Sequence, residues 1–171
     1  MCFSYSLKAN PQTQLPLDFQ PALIPEPGFF FSGFAHPQLP IQHQHGAELA
    51  QWGLIPSWVK LKSKANELQK LSLNARWETA HEKPMFREAW KTKPCLILAS
   101  GFFEWQTQGK TKIPYFIHPS EGDFFLFGGI FDDFIDSQTG EVQRTYSILT
   151  TDANELMSNI HNVKKRMPVI I

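Results

Sequence analysis

Cysteine is scarce in this sequence. Only Cys2 and Cys95 occur among 171 residues. Two cysteines do not make a disulfide framework, so the fold must rest on its core, and a reducing cytoplasm is the expected compartment. No apolar run approaches the ~20 residues of a membrane span, so no membrane partner is expected. The start lacks the basic and then apolar regions of a secretory signal. Net charge is also missing, because 16 Lys and Arg balance 16 Asp and Glu. There is no phosphate loop, no dinucleotide fingerprint and no Cys-x-x-Cys pair, so those nucleotide and redox chemistries have no motif to rest on. "HQH" sets His43 and His45 on one strand face with no evident third ligand, and neither a metal nor a cofactor is expected.

Aromatics and hydrophobic residues are plentiful. Hydrophobic content is 42%, with fifteen Phe and five Trp, which fits a compact fold rather than a disordered chain. The length suits one domain that buries roughly 70% of its unfolded surface. The charge is zero in sum but uneven along the chain. Residues 60–93 carry nine Lys and Arg against four acids, and residues 94–141 carry two against seven. A phosphate backbone answers to a local patch rather than to the total, although lysines on a solvated helix give the same count.

Prolines at 11, 16, 21, 25 and 27 mark a loop-like segment over 10–28. The run "GFFFSGF" reads as a strand, and 38–58 reads as strand, turn at His45–Gly46, strand and loop. The stretches 60–71, 83–93 and 152–160 read as short helices, the last with Asp152 and Glu155 spaced as a capping box. The runs "CLILAS", "FFEWQT", "IPYFIH", "FFLFGGIF" and "TYSILT" are strand-like, and "MPVII" resembles a final strand. The sum is an α+β, β-dominated single domain with a few short helices.

Five stretches carry chemistry. If Met1 is trimmed, Cys2 bears a free α-amine beside its thiol. Roughly a seventh of such an amine is neutral at pH 7, several hundredfold more than a lysine. A neutral amine attacks an aldehyde, and the neighbouring thiol can close a five-membered thiazolidine. The bland reading is a small residue near the start. In "NARWET", Asn74, Arg76 and Glu78 share a face if extended. Asn can orient a sugar or nucleophile and Arg can pair with phosphate; ordinary surface polarity gives the same pattern. In "GFFEWQ", Glu104 sits between Phe103 and Trp105. Burial would raise its pKa into the range of a proton shuttle, whereas an outward carboxylate would be inert. His161 follows the last helix and precedes Lys164, Lys165 and Arg166; it suits acid–base work or a helix cap. "WGLIPSW" offers Trp52 and Trp58, to stack on unpaired bases if exposed or to fill the core if buried. Cys95 opens an apolar run and reads as a buried small hydrophobe.

Taken in order, "MC", "WGLIPSW", "NARWET", "GFFEW" and "HNVKKRMPVII" resemble the SOS response-associated peptidase (SRAP) family, the abasic-site processing proteins, over nearly the whole chain. The resemblance implies a curved, barrel-like mixed sheet with flanking helices. It implies binding to single-stranded DNA at abasic sites and a covalent thiazolidine between Cys2 and the ring-opened deoxyribose. Autocatalytic removal of Met1 is part of that picture. Asn74, Glu104 and His161 match the family's other active-site residues; Arg76 matches a phosphate contact, and Trp58 and Trp52 are candidate DNA contacts. No obligate protein partner is evident. The chain departs from the family in reading "MCFS" rather than "MCGR", in the longer "NVKK" loop after His161, and in ending at Ile171, where the family's C-terminal part is expected to continue. Two other readings stand beside it: an N-terminal-cysteine hydrolase acting on amide bonds, and a non-catalytic single-strand-binding module.

Overall fold

A computed structural model describes residues 2–8, 14–24 and 28–171. Met1 and three of the proline positions, 11, 25 and 27, lie outside the described residues. The strands are β1 (Ser4–Leu7), β2 (Gly28–Ser32), β3 (Gln38–His43), β4 (Gly46–Trp52), β5 (Asn74–Arg76), β6 (Pro94–Ala99), β7 (Gly101–Gln108), β8 (Thr111–Ile117), β9 (Phe125–Ile135), β10 (Val142–Asp152) and β11 (Arg166–Pro168). Three short helices interrupt them: α1 (Lys62–Gln69), α2 (Arg87–Thr92) and α3 (Glu155–Ile160).

Five strands close on themselves in the order β10, β4, β3, β6, β9 and back to β10, which is the β-dominated fold read from the residues and the barrel-like sheet that the family resemblance implies. A second sheet, β2-β1-β7-β8, packs beside it. Closure depends on β10, which pairs with β9 and β4 at once. Its first part pairs with β9 and β4, and its last residues pair with β5 on one edge and β11 on the other. Closing the barrel leaves fewer exposed edges for another chain to pair with.

The core lies between the two sheets. Tyr5, Trp52, Phe102, Phe127 and Tyr146 are all fully buried. Burying phenol hydroxyls requires partners, and Tyr5 and Tyr146 satisfy each other at 2.9 Å. Trp52 is also core rather than surface. It is 0% exposed and its indole Nε1 donates to the Leu73 carbonyl at 2.8 Å. That bond braces the backbone one residue before Asn74. Gly53 follows with φ +108, and a Cβ there would stand 2.7 Å from the Gln69 carbonyl oxygen, so both the turn and the close approach require glycine.

Several local expectations change. The strand β1 was not marked by the sequence reading, yet it starts two residues after Cys2 and pairs with both β2 and β7. The cap of α3 is Asn154, whose side chain accepts from Met157 N at 2.9 Å. Asp152 is drawn away from the capping role by an ion pair with Arg166 at 2.7 Å. Arg166, grouped above with two surface lysines, is 5% exposed and held by carboxylates. No helix among the described residues is long and apolar enough to cross a membrane.

Candidate active site

The register of β1 on β7 builds the site. Tyr5 faces Phe102 and Ser6 faces Gly101 in an antiparallel pair. Beyond Phe102 the two strands separate, and Phe3 and Glu104 line one cavity. The carbonyl of Phe3 accepts from Gly33 N at 2.8 Å, which fixes the approach of the chain. Cys2 is 0% exposed, with its Sγ 3.5 Å from the Ser4 carbonyl. Burial, and then the nearby Glu104 charge, push its thiol pKa well up.

Asn74 reaches the same cysteine from the barrel. As the first residue of β5 it pairs with Ile148 of β10, and its Nδ2 donates to the Cys2 carbonyl at 2.9 Å. Its Oδ1 is buried and lacks a hydrogen-bond partner among the described residues.

Glu104 is 3% exposed. Alternation along β7 sets it on the face of Phe102, the buried face. Desolvation raises its pKa to about 7, so near neutral pH the carboxyl can either give or take a proton. His161 Nδ1 lies 3.8 Å from Glu104 Oε2. The same Nδ1 donates to the Arg166 carbonyl at 2.9 Å, which makes Nε2 the acceptor of the neutral ring. Burial lowers the imidazole pKa, favouring that neutral form.

The loop that carries His161 is itself anchored. Arg166 forks onto Glu78 at 3.0 and 2.8 Å and reaches Asp152 and the Thr150 carbonyl. The guanidinium holds the Glu78 carboxyl down at about 2. Glu78 and Arg166 therefore set the carbonyl that orients His161. The sequence reading placed Glu78 in a polar stretch without a role and missed the burial of Arg166.

Two cavities are lined by residues that surround Cys2, Phe3 and Glu104 in one and Asn74 in the other, while Cys2 itself is buried and lines neither. One, of about 420 Å³, is lined by Phe3, Glu104, Trp105, Lys112, His161 and Lys164 among others. The other, of about 470 Å³, is lined by Trp58, Asn74, Arg76, Lys83, Met85 and Phe86 among others. Arg76 is exposed and has no carboxylate partner among the described residues. Trp58 is 52% exposed, with its Nε1 donating to the Pro84 carbonyl at 3.3 Å, so its ring is both held and accessible. Of the two tryptophans named from the sequence, only Trp58 has a face to offer; Trp52 is fully enclosed. His43 is occupied elsewhere, with Glu48 and Arg144.

A family model for SOS response associated peptidase (SRAP) matches residues 1–171. The chain belongs to the SRAP family. Among SRAP relatives, it is 40% identical over 122 residues to the Bacillus subtilis abasic site processing protein YoqW. That match covers 71% of this chain and 51% of the relative. It is 36% identical over 140 residues to the abasic site processing protein HMCES of Gallus gallus, covering 71% of this chain and 40% of that one. The chain thus spans about half, or less, of the length of these curated relatives. A crystal structure of a Bacteroides thetaiotaomicron protein superposes with a TM-score of 0.89 at 37% identity, covering 99% of this chain and 77% of that one.

Proposed function

We propose that this SRAP chain processes abasic sites in DNA by capturing the ring-opened deoxyribose as a thiazolidine on Cys2, after loss of Met1. The observation that carries the reading is convergence on one cysteine. Asn74 holds its carbonyl, a carboxyl with pKa about 7 lies beside its thiol, and an imidazole sits 3.8 Å from that carboxyl.

The chemistry follows from those groups. Neutral His161 takes the C1′ hydroxyl proton on Nε2 and gives it to O4′ as the furanose opens, leaving an aldehyde, a 4′ hydroxyl and a neutral imidazole. The Cys2 α-amine adds to that carbonyl carbon and forms a carbinolamine. Protonated Glu104 gives a proton to the carbinolamine hydroxyl, which leaves as water. Sulfur then adds to the iminium carbon, its proton passes to the Glu104 carboxylate, and the ring closes. One water is lost and Glu104 ends as it began. The free Oδ1 of Asn74 can accept from the liberated amine, which makes Asn74 a positioning residue as well as a tether. Single-stranded DNA fits best, because Trp58 needs an unpaired base to stack on and Arg76 then meets the adjoining phosphate.

The state of the thiol argues against the hydrolase reading. A cysteine that attacks an amide carbon needs a depressed pKa and works as thiolate. Burial and Glu104 drive Cys2 the other way. Amine-first capture tolerates a neutral thiol, because the iminium is already a strong electrophile.

The test is a denaturing gel of protein mixed with an abasic single-stranded oligonucleotide. Wild type should give a slow-migrating species that survives denaturant, and Cys2→Ala should give none. Survival of that species in Cys2→Ala would overturn the mechanism.

A further inference from the structure

The loop after His161 is pinned to an open strand edge. β1 leaves β7 after facing Phe102, so the β7 edge beyond that point is free for another partner. The side-chain amide of Asn162 fills it in both directions. Its Nδ2 donates to the Thr107 carbonyl at 2.9 Å, and its Oδ1 accepts from Thr107 N at 3.0 Å. Gln106 Nε2 adds a bond to the Asn159 carbonyl at 2.8 Å. An amide side chain thus imitates a strand neighbour and holds the loop as a wall of the 420 Å³ cavity.

Lys164 stands on that wall. Lys112 stands on β8, directly opposite Thr107 in register. Both line the cavity that holds Glu104 and His161. Both are exposed, and neither has an ion pair or hydrogen bond among the described residues. The Lys164 charge reaches the imidazole, adding to burial in lowering the His161 pKa. Two like charges that line one cavity, neither of them ion-paired among the described residues, repel each other, and a bound anion relieves that repulsion.

We infer that Lys112 and Lys164 form a two-point clamp for a DNA phosphate on the Glu104–His161 side of Cys2. This rests on the reading of the protein as an abasic-site enzyme. Arg76 and Lys83 line the opposite cavity. A strand carrying the lesion over Cys2 has a phosphate on each side of the missing base, and each side then meets a cationic pair. Glu104 lies at the same cavity but, with half its population neutral near pH 7, it offers less repulsion to that phosphate than an ordinary carboxylate.

The test uses a single-stranded oligonucleotide with a tetrahydrofuran lesion, which has no aldehyde and cannot crosslink. Equilibrium binding is measured against salt for wild type, Lys112→Ala, Lys164→Ala, the double variant and the matching Lys→Arg variants. Each lysine that neutralises one phosphate contributes about 0.7 to the slope of log K against log salt. The double alanine variant should lose about 1.4, and the Arg variants should keep the wild-type slope. Both side chains are exposed, so circular dichroism should report unchanged folding. A wild-type slope in the double alanine variant overturns the clamp and leaves the Cys2 mechanism standing. A wild type that does not bind the oligonucleotide removes both.

Discussion

Glu104→Gln should make the protein more stable and less active at once. The wild-type carboxyl is 3% exposed, and desolvation lifts its pKa from the ordinary 4.5 to about 7. A carboxyl with a raised folded pKa takes up a proton on folding between those two values. Its stabilising contribution is therefore present below about pH 4.5 and lost as pH rises through 7. A shift of that size corresponds to about 3 kcal/mol at most, since one unit is ~1.4 kcal/mol. Glutamine cannot ionise, so the variant escapes that loss. A buried amide carries its own cost, but that cost does not vary with pH. The comparison to make is therefore the difference between variant and wild type at two pH values. Thermal melts at about pH 4.5 and pH 8.5 should show that difference growing in favour of Gln by about 3 kcal/mol, or about 6–12 °C for a domain of this size. On the same protein, adduct formation at pH 7 should slow by about 100-fold or more, the usual worth of a proton-transfer group. A stability difference that stays flat with pH would show that Glu104 is not a desolvated carboxyl. An unchanged adduct rate would remove it from the chemistry.

Three further outcomes follow from the geometry. Asn74→Ala removes the donor 2.9 Å from the Cys2 carbonyl. A lost hydrogen bond of ~1 kcal/mol should slow adduct formation about fivefold, with the shape of its pH profile unchanged. Arg76→Ala should lower the salt slope of single-strand binding by about 0.7, read by fluorescence anisotropy; an unaltered slope would make Arg76 structural. The two tryptophans should separate cleanly. Trp52→Ala should cost about 3–5 kcal/mol in denaturant melts, as a fully buried indole does, whereas Trp58→Ala should leave the melt nearly unchanged and weaken DNA binding by about 1–3 kcal/mol.

Much of the fold was legible because its strands are short, apolar and separated by turn residues. The hairpin of β3 and β4 turns at Gln44–His45, one residue before the His45–Gly46 signal, with Gly46 already paired to His43. The barrel's closure was not legible. It depends on β10 pairing with β9 on one edge and β4 on the other, and no local pattern reports which distant strands a strand will take as partners. β1 is four residues long, too short to stand out without its partners.

The grouping of the candidate residues in space was legible where chemistry selects the residue type. Cys2, Asn74, Glu104 and His161 were named from the sequence, and the fold brings them around one cysteine. What escaped was support supplied through pairing at long range. Arg166 looks like the last member of a solvated basic run, yet Glu78, far away in sequence, draws it inside. Trp52 and Trp58 look alike on paper. Trp52 falls on the inward phase of β4, and Trp58 lies beyond Pro56, outside the strand.

Intact-mass spectrometry of the protein mixed with an abasic single-stranded oligonucleotide tests the central claim most directly. The account predicts a species equal to the chain without Met1 plus the oligonucleotide minus one water, absent from Cys2→Ala. An adduct that retains Met1, or one that persists without the Cys2 sulfur, would contradict it.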